Sequence, residues 1–141
     1  MQSVNTQTRV KAAAGFVIVV GMVIAAAAWP VLAGPVVLLA DLIIWPLDGM
    51  QTLTAPEARL LMAISGGVMV GWGVTLWKLA GYLMPRDMPT ARAITMTGLY
   101  CWFGVDSIAS IAAGAPINAV ANVSFVVLFL LAFRKGREVP A

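Results

Sequence analysis

The chain has 141 residues, 61% of them apolar and only 11% charged, where globular proteins run at about 45–50% and about 25%. A single water-soluble core of this size cannot hide that much apolar surface, nor cover itself with so few charges. The composition therefore excludes a soluble domain and indicates an integral membrane protein. Its few charges are clustered: charge-free runs cover Ala12 to Ala40, Leu60 to Trp77, Ala93 to Val105 and Ser107 to Phe133.

In chain order, the first predicted span covers residues 12–33, after a polar start with Arg9 and Lys11. This segment also resembles a secretory signal, with Val31-Leu32-Ala33 before Gly34 as a cleavage site. Its apolar stretch is longer than the usual 7–15 residues of a signal, which favours an uncleaved helix. Between Pro35 and Pro46 lies an apolar piece too short to cross a bilayer, at about 1.5 Å per residue. It is expected to be interfacial or re-entrant, with Trp29 and Trp45 at headgroup depth. The second span is predicted over residues 58–83, with Glu57 at its positive N-terminal end. The third covers 92–113, Gly114-Ala115-Pro116 makes a tight turn, and the fourth covers 117–133. Lipid-exposed backbone must satisfy its own hydrogen bonds, so all four are helices.

The expected fold is thus an all-α membrane protein, one domain over residues 1–141. It is a four-helix transmembrane bundle with both termini cytoplasmic. Orientation follows from Lys and Arg near the helix ends. One side would hold Arg9, Lys11, Lys78, Arg86, Arg92, Arg134, Lys135 and Arg137, the other only Arg59. That bias explains the net charge of +3 better than nucleic-acid binding does, because no basic stripe is present. In a bacterium the location would be the inner membrane.

Several chemistries are excluded. With no histidine, the usual haem ligand and the commonest catalytic base are missing. With Cys101 as the one cysteine, no internal disulfide, CxxC pair or thiolate cluster can form. Gly66, Gly67, Gly71 and Gly73 sit in an apolar run rather than after a strand, so they are no nucleotide fingerprint. No cofactor, metal or catalytic residue is therefore expected.

Two features rise above apolar filler. Ala63, Gly67, Gly71 and Thr75 recur every four residues and predict a small-residue face on the second span. That face would pack within the bundle or against a partner. The second feature is polar. Asp106 lies eight residues before the turn at Gly114, about 12 Å along the helix. A mid-membrane aspartate costs about 2.5–3.5 kcal/mol to insert, so it must face protein or water. Ser110 is one turn on, with Ser107 beside Asp106, and Asn118 and Asn122 share a face of the next helix. The expected cluster is Arg59, Asp106, Ser110, Asn118 and Asn122, with Glu57 and Asp41 at its rim. Arg59 would be the counter-ion. Either the cluster fixes helix register, or it binds a small polar or cationic ligand.

Other aromatic residues read as packing and interface anchors, and Lys78 as a snorkelling lysine beside Trp77. The runs Pro56-Glu57-Ala58-Arg59, Gly66 to Gly73, Asp106-Ser107 and Gly114-Ala115-Pro116-x-Asn118-x-x-x-Asn122 resemble a family of small uncharacterised four-helix bacterial inner-membrane proteins. That resemblance implies no activity. Small multidrug exporters share size and helix count, but their first-helix glutamate has no equivalent here. The function expected is non-catalytic: a small subunit or accessory factor of a homo-oligomer or a larger membrane complex in the lipid bilayer. The alternative is a small carrier using Asp106.

Overall fold

The computed structural model describes residues 2–134. Among them the chain is all helix, without strands, in five α-helices: α1 (Gln2–Ala26), α2 (Gly34–Ile43), α3 (Pro56–Lys78), α4 (Met88–Ala112) and α5 (Pro116–Ala132). Every predicted helix is present, with shifted ends. The first starts ten residues earlier than expected and stops at Ala26, because Pro30 forces Trp29 into an extended conformation and opens a short 3-10 turn, Pro30–Leu32. The predicted short segment is α2, with Pro35 in its first turn. α3 continues through a π turn, Leu79–Leu83. Glu57 occupies its first turn, as expected. Asp87 caps α4 by accepting from the Thr90 N–H at 3.0 Å. Hydrogen bonding from the Thr90 side chain, then from its backbone, holds the Asp87 carboxyl below the usual aspartate value.

Among the described residues, two helices are long and apolar enough to cross a membrane: Asn5–Ala26, with mean hydropathy 1.9, and Pro56–Leu83, with 1.6. The other two predicted spans differ for separate reasons. α4 has 25 residues but is diluted by Arg92, Asp106 and several hydroxyl side chains. α5 is strongly apolar but has 17 residues, about 26 Å against a hydrocarbon core of about 30 Å.

α1 and α3 run antiparallel and form the largest helix pair, while α4 and α5 form a hairpin turned at Gly114. Gly114 has φ +81°, a conformation glycine adopts without strain. α5 packs on α1, α2 on α5, and the π turn touches both α1 and α4. The central seam between the two pairs is aromatic, with Trp72 5.7 Å from Trp102 and Trp102 5.5 Å from Phe125 between ring centroids. These rings serve packing, as expected.

This topology gathers α1's start, α3's end, α4's start and α5's end at one end of the bundle. Gln7 donates to the Ala80 carbonyl at 2.8 Å, within the π turn, and Arg9 donates to the Arg134 carbonyl. Lys11, rather than Lys78, lies over Trp77, at 6.0 Å, and Lys78 lies over Tyr82 at 5.5 Å. Arg86 and Arg92 flank the α3–α4 connection at the same end. Lys135 and Arg137, also expected there, lie outside the described residues.

The α1–α3 contact uses glycines, but not the predicted ones. A Cβ on Gly66 would press into Ala25 and sit 2.5 Å from the Gly21 carbonyl oxygen. On Gly73 it would sit 2.7 Å from Ile18 Cγ1. A Cβ on Gly67 or Gly71 would meet nothing within 4 Å. Thr75 is exposed, its hydroxyl turned back to the Gly71 carbonyl at 3.0 Å, and Ala63 is half-buried. The Ala63–Gly67–Gly71–Thr75 face therefore does not pack within the bundle. A four-residue step advances 400°, drifting about 40° each time, whereas a seven-residue step drifts only about 20°. Gly66 and Gly73, seven apart, stay on the seam, while the four-step stripe rotates outward.

Candidate functional site

The polar cluster is built where the α4–α5 hairpin closes. Asn118 Nδ2 donates to Asp106 Oδ2 at 3.0 Å and to Ser110 Oγ at 2.8 Å. Asn122 Nδ2 donates to the same Asp106 oxygen at 2.5 Å and reaches Ser107 Oγ at 3.5 Å. Asp106, Ser110, Asn118 and Asn122 are thus brought together as the sequence predicted. Ser107 joins them more closely than its position beside Asp106 implied. Asn122 and Ser107 are buried; Asp106, Ser110 and Asn118 are half-buried.

The reason is geometric. Asp106 and Ser110 lie one turn apart on α4, as do Asn118 and Asn122 on α5, so a tight antiparallel turn sets two polar pairs face to face. The amide nitrogens of the two asparagines both face into the cluster. Asp106 Oδ2 accepts from both of them, and Oδ1 accepts from none of the described residues. Such an arrangement can fix the register of α4 on α5, and it leaves one carboxylate oxygen for another group.

The expected counter-ion is elsewhere. Arg59 forms no ion pair among the described residues. It lines a pocket with Val37 and the loop residues Gln51 to Thr54. Arg59 lies seven residues before Gly66 and so falls on the stripe that turns toward α1. Because α3 pairs with α1 rather than with the hairpin, its guanidinium stays on the α1–α2 side. The predicted Arg59–Asp106 pairing is corrected on that ground.

The two rim residues also differ from expectation. Asp41 is buried at 5% exposure, and both of its carboxylate oxygens lie 3.1 Å from the Gly49 N–H. It ties the loop after α2 to the helix that precedes it, rather than facing Asp106. Glu57 is exposed at the start of α3. The polar residues of the loop, Gln51, Thr52 and Thr54, carried no periodic signal, so sequence reasoning passed over them. An arginine set apart from the other basic residues, near a loop with two threonines, was the available hint.

No protein-family model, no curated protein and no solved structure matches this chain.

Proposed function

We propose that the chain is a four-span inner-membrane protein with both termini cytoplasmic. It acts without catalytic chemistry, as a subunit that assembles with a second copy of itself through the outward face of α3. The observation that carries this reading is the open Gly67–Gly71 face. One small-residue side of α3 is consumed by α1, and the other is bare. Around it Ile64 and Val68 are 52% and 69% exposed, so a second helix could approach the backbone closely there.

The membrane setting draws support from Val105, Ile108 and Val120, each more than 70% exposed in the half of the hairpin nearer its turn. Water-soluble monomers rarely show such contiguous apolar surface. The orientation rests on the gathering of Arg9, Lys11, Lys78, Arg86, Arg92 and Arg134 at one end.

Extraction in a mild detergent should yield a defined homo-oligomer. Gly67→Leu, which puts a bulky side chain where nothing stands, should weaken that association by at least about tenfold without lowering helix content. Oxidative cross-linking of Gly67→Cys, with exposed Cys101 replaced by serine, should trap the same species in intact membranes. A wild-type chain that runs only as a monomer, and forms no cross-link, defeats the proposal.

A second reading, a small carrier, is favoured by one observation: among the described residues Asp106 is held only by neutral donors. In vesicles, Asp106→Asn should then abolish ion or solute accumulation while the protein stays folded. Equal accumulation by both proteins removes that reading.

A further inference from the structure

Arg59 is the basic residue that the charge distribution does not explain. All other described lysines and arginines stand at the opposite end of the bundle, where the positive-inside pattern puts them. Arg59 stands at the other end, forms no ion pair among the described residues, and lines a pocket of about 350 Å³.

That pocket is a built structure. Its roof is the loop between α2 and α3, which is pinned twice. Asp41 holds Gly49 with both carboxylate oxygens, and Leu53 packs into a small core of Ala27, Ala33 and Val36. Between those anchors the chain presents Gln51 and Thr52 to the cavity, and Thr54 follows directly after Leu53, with the two threonine hydroxyls 3.5 Å apart. Val37 and Leu53 supply apolar walls. The guanidinium of Arg59 brings five N–H donors and a positive charge. The start of α3, three residues before Arg59, adds the positive end of the helix dipole.

The neighbouring acids do not cancel this charge. Asp41 is buried and turned to Gly49, Asp48 accepts from the Met50 N–H at 3.1 Å, and exposed Glu57 is not part of the lining. A cation and hydroxyls at one side of an otherwise apolar wall match a ligand with an anionic head and a hydrocarbon tail. The volume is at the small end of the range of about 300–1,000 Å³ usual for ligand sites, which suits the head and first part of one chain.

We propose that this pocket binds the carboxylate or phosphate head of an anionic amphiphile. Arg59 receives the charge through paired N–H donors, Thr52 and Thr54 donate hydroxyl hydrogens to its remaining oxygens, and Val37 and Leu53 contact the start of the chain. The reading is independent of how copies of the chain assemble.

The test uses the full chain in neutral detergent, followed by native mass spectrometry with four separate probes: palmitate, phosphatidylglycerol, cetyl alcohol and inorganic phosphate. One palmitate or phosphatidylglycerol per chain should bind at least about tenfold more tightly than cetyl alcohol. Preference between those two shows whether the natural head is a free carboxylate or a lipid phosphate. Arg59→Gln should erase the advantage over the alcohol, and Arg59→Lys should restore part of it. Val37→Trp, which fills the cavity and keeps the arginine, should lose both anionic probes and decides the matter if Arg59→Gln fails to fold. Cetyl alcohol binding as well as palmitate, undiminished binding in both Arg59→Gln and Val37→Trp, or inorganic phosphate binding as tightly as the amphiphiles each overturns the proposal.

Discussion

Gly66→Ala is expected to destabilise the protein, while Gly67→Ala one position along stabilises it or leaves it unchanged. At Gly66 the new methyl group would meet Ala25 and the Gly21 carbonyl, which are backbone atoms that cannot rotate away. Relief requires α1 and α3 to separate along their whole contact. Overpacking of this kind costs about 1–3 kcal/mol and sometimes more, and exceeds the gain of about 1 kcal/mol from replacing glycine by alanine in a helix. At Gly67 the same methyl group enters open space within the single chain, so in micelles dilute enough to keep the chain monomeric only the helix-propensity gain remains. Reversible unfolding in mixed micelles would measure both. Equal effects at the two positions would mean that α3 is rotated from the orientation described.

Asn122→Leu is the second large effect. Its side chain is 5% exposed and supplies Asp106 with its shortest hydrogen bond. Removing it leaves a half-buried carboxylate with Asn118 as its remaining donor, and strands the Ser107 hydroxyl. Leaving buried polar groups unpaired in this way costs about 1–3 kcal/mol. The double variant Asp106→Leu with Asn122→Leu should recover most of that loss, because removing both partners of a buried pair is often nearly neutral. A double-mutant cycle followed by thermal unfolding gives the coupling energy directly. Additive losses in the cycle would separate Asp106 from Asn122 and end the account of the cluster as a single unit.

The polar cluster was legible in the sequence because it depends on local geometry. The turn at Gly114-Ala115-Pro116 dictates an antiparallel hairpin, and four-residue spacing on each arm then sets Asp106 and Ser110 against Asn118 and Asn122. Nothing distant is needed. Arg59 was misplaced because its partner depends on which helix α3 meets, and that choice is made by glycines far along the chain. The four-step stripe of Ala63, Gly67, Gly71 and Thr75 is an easy pattern to see, yet it winds around the helix. The seven-step pair Gly66 and Gly73 is sparser and marks the true seam. Asp41 was read as a rim residue from its position alone, whereas its role is to hold Gly49 eight residues later.

By itself the sequence determined the class of the protein: helical, rich in apolar residues and poor in charge, and lacking the histidines and paired cysteines that much catalytic chemistry uses. Composition and helix periodicity are enough for that, since they report on solvent and on local hydrogen bonding. Only the tertiary structure decided how the few charges are used. Scarce charge marks one polar cluster and one arginine set apart from the other described basic residues, and their separation follows from α3 packing on α1. A helix seam is chosen by which backbones can approach most closely, and this depends on two surfaces at once.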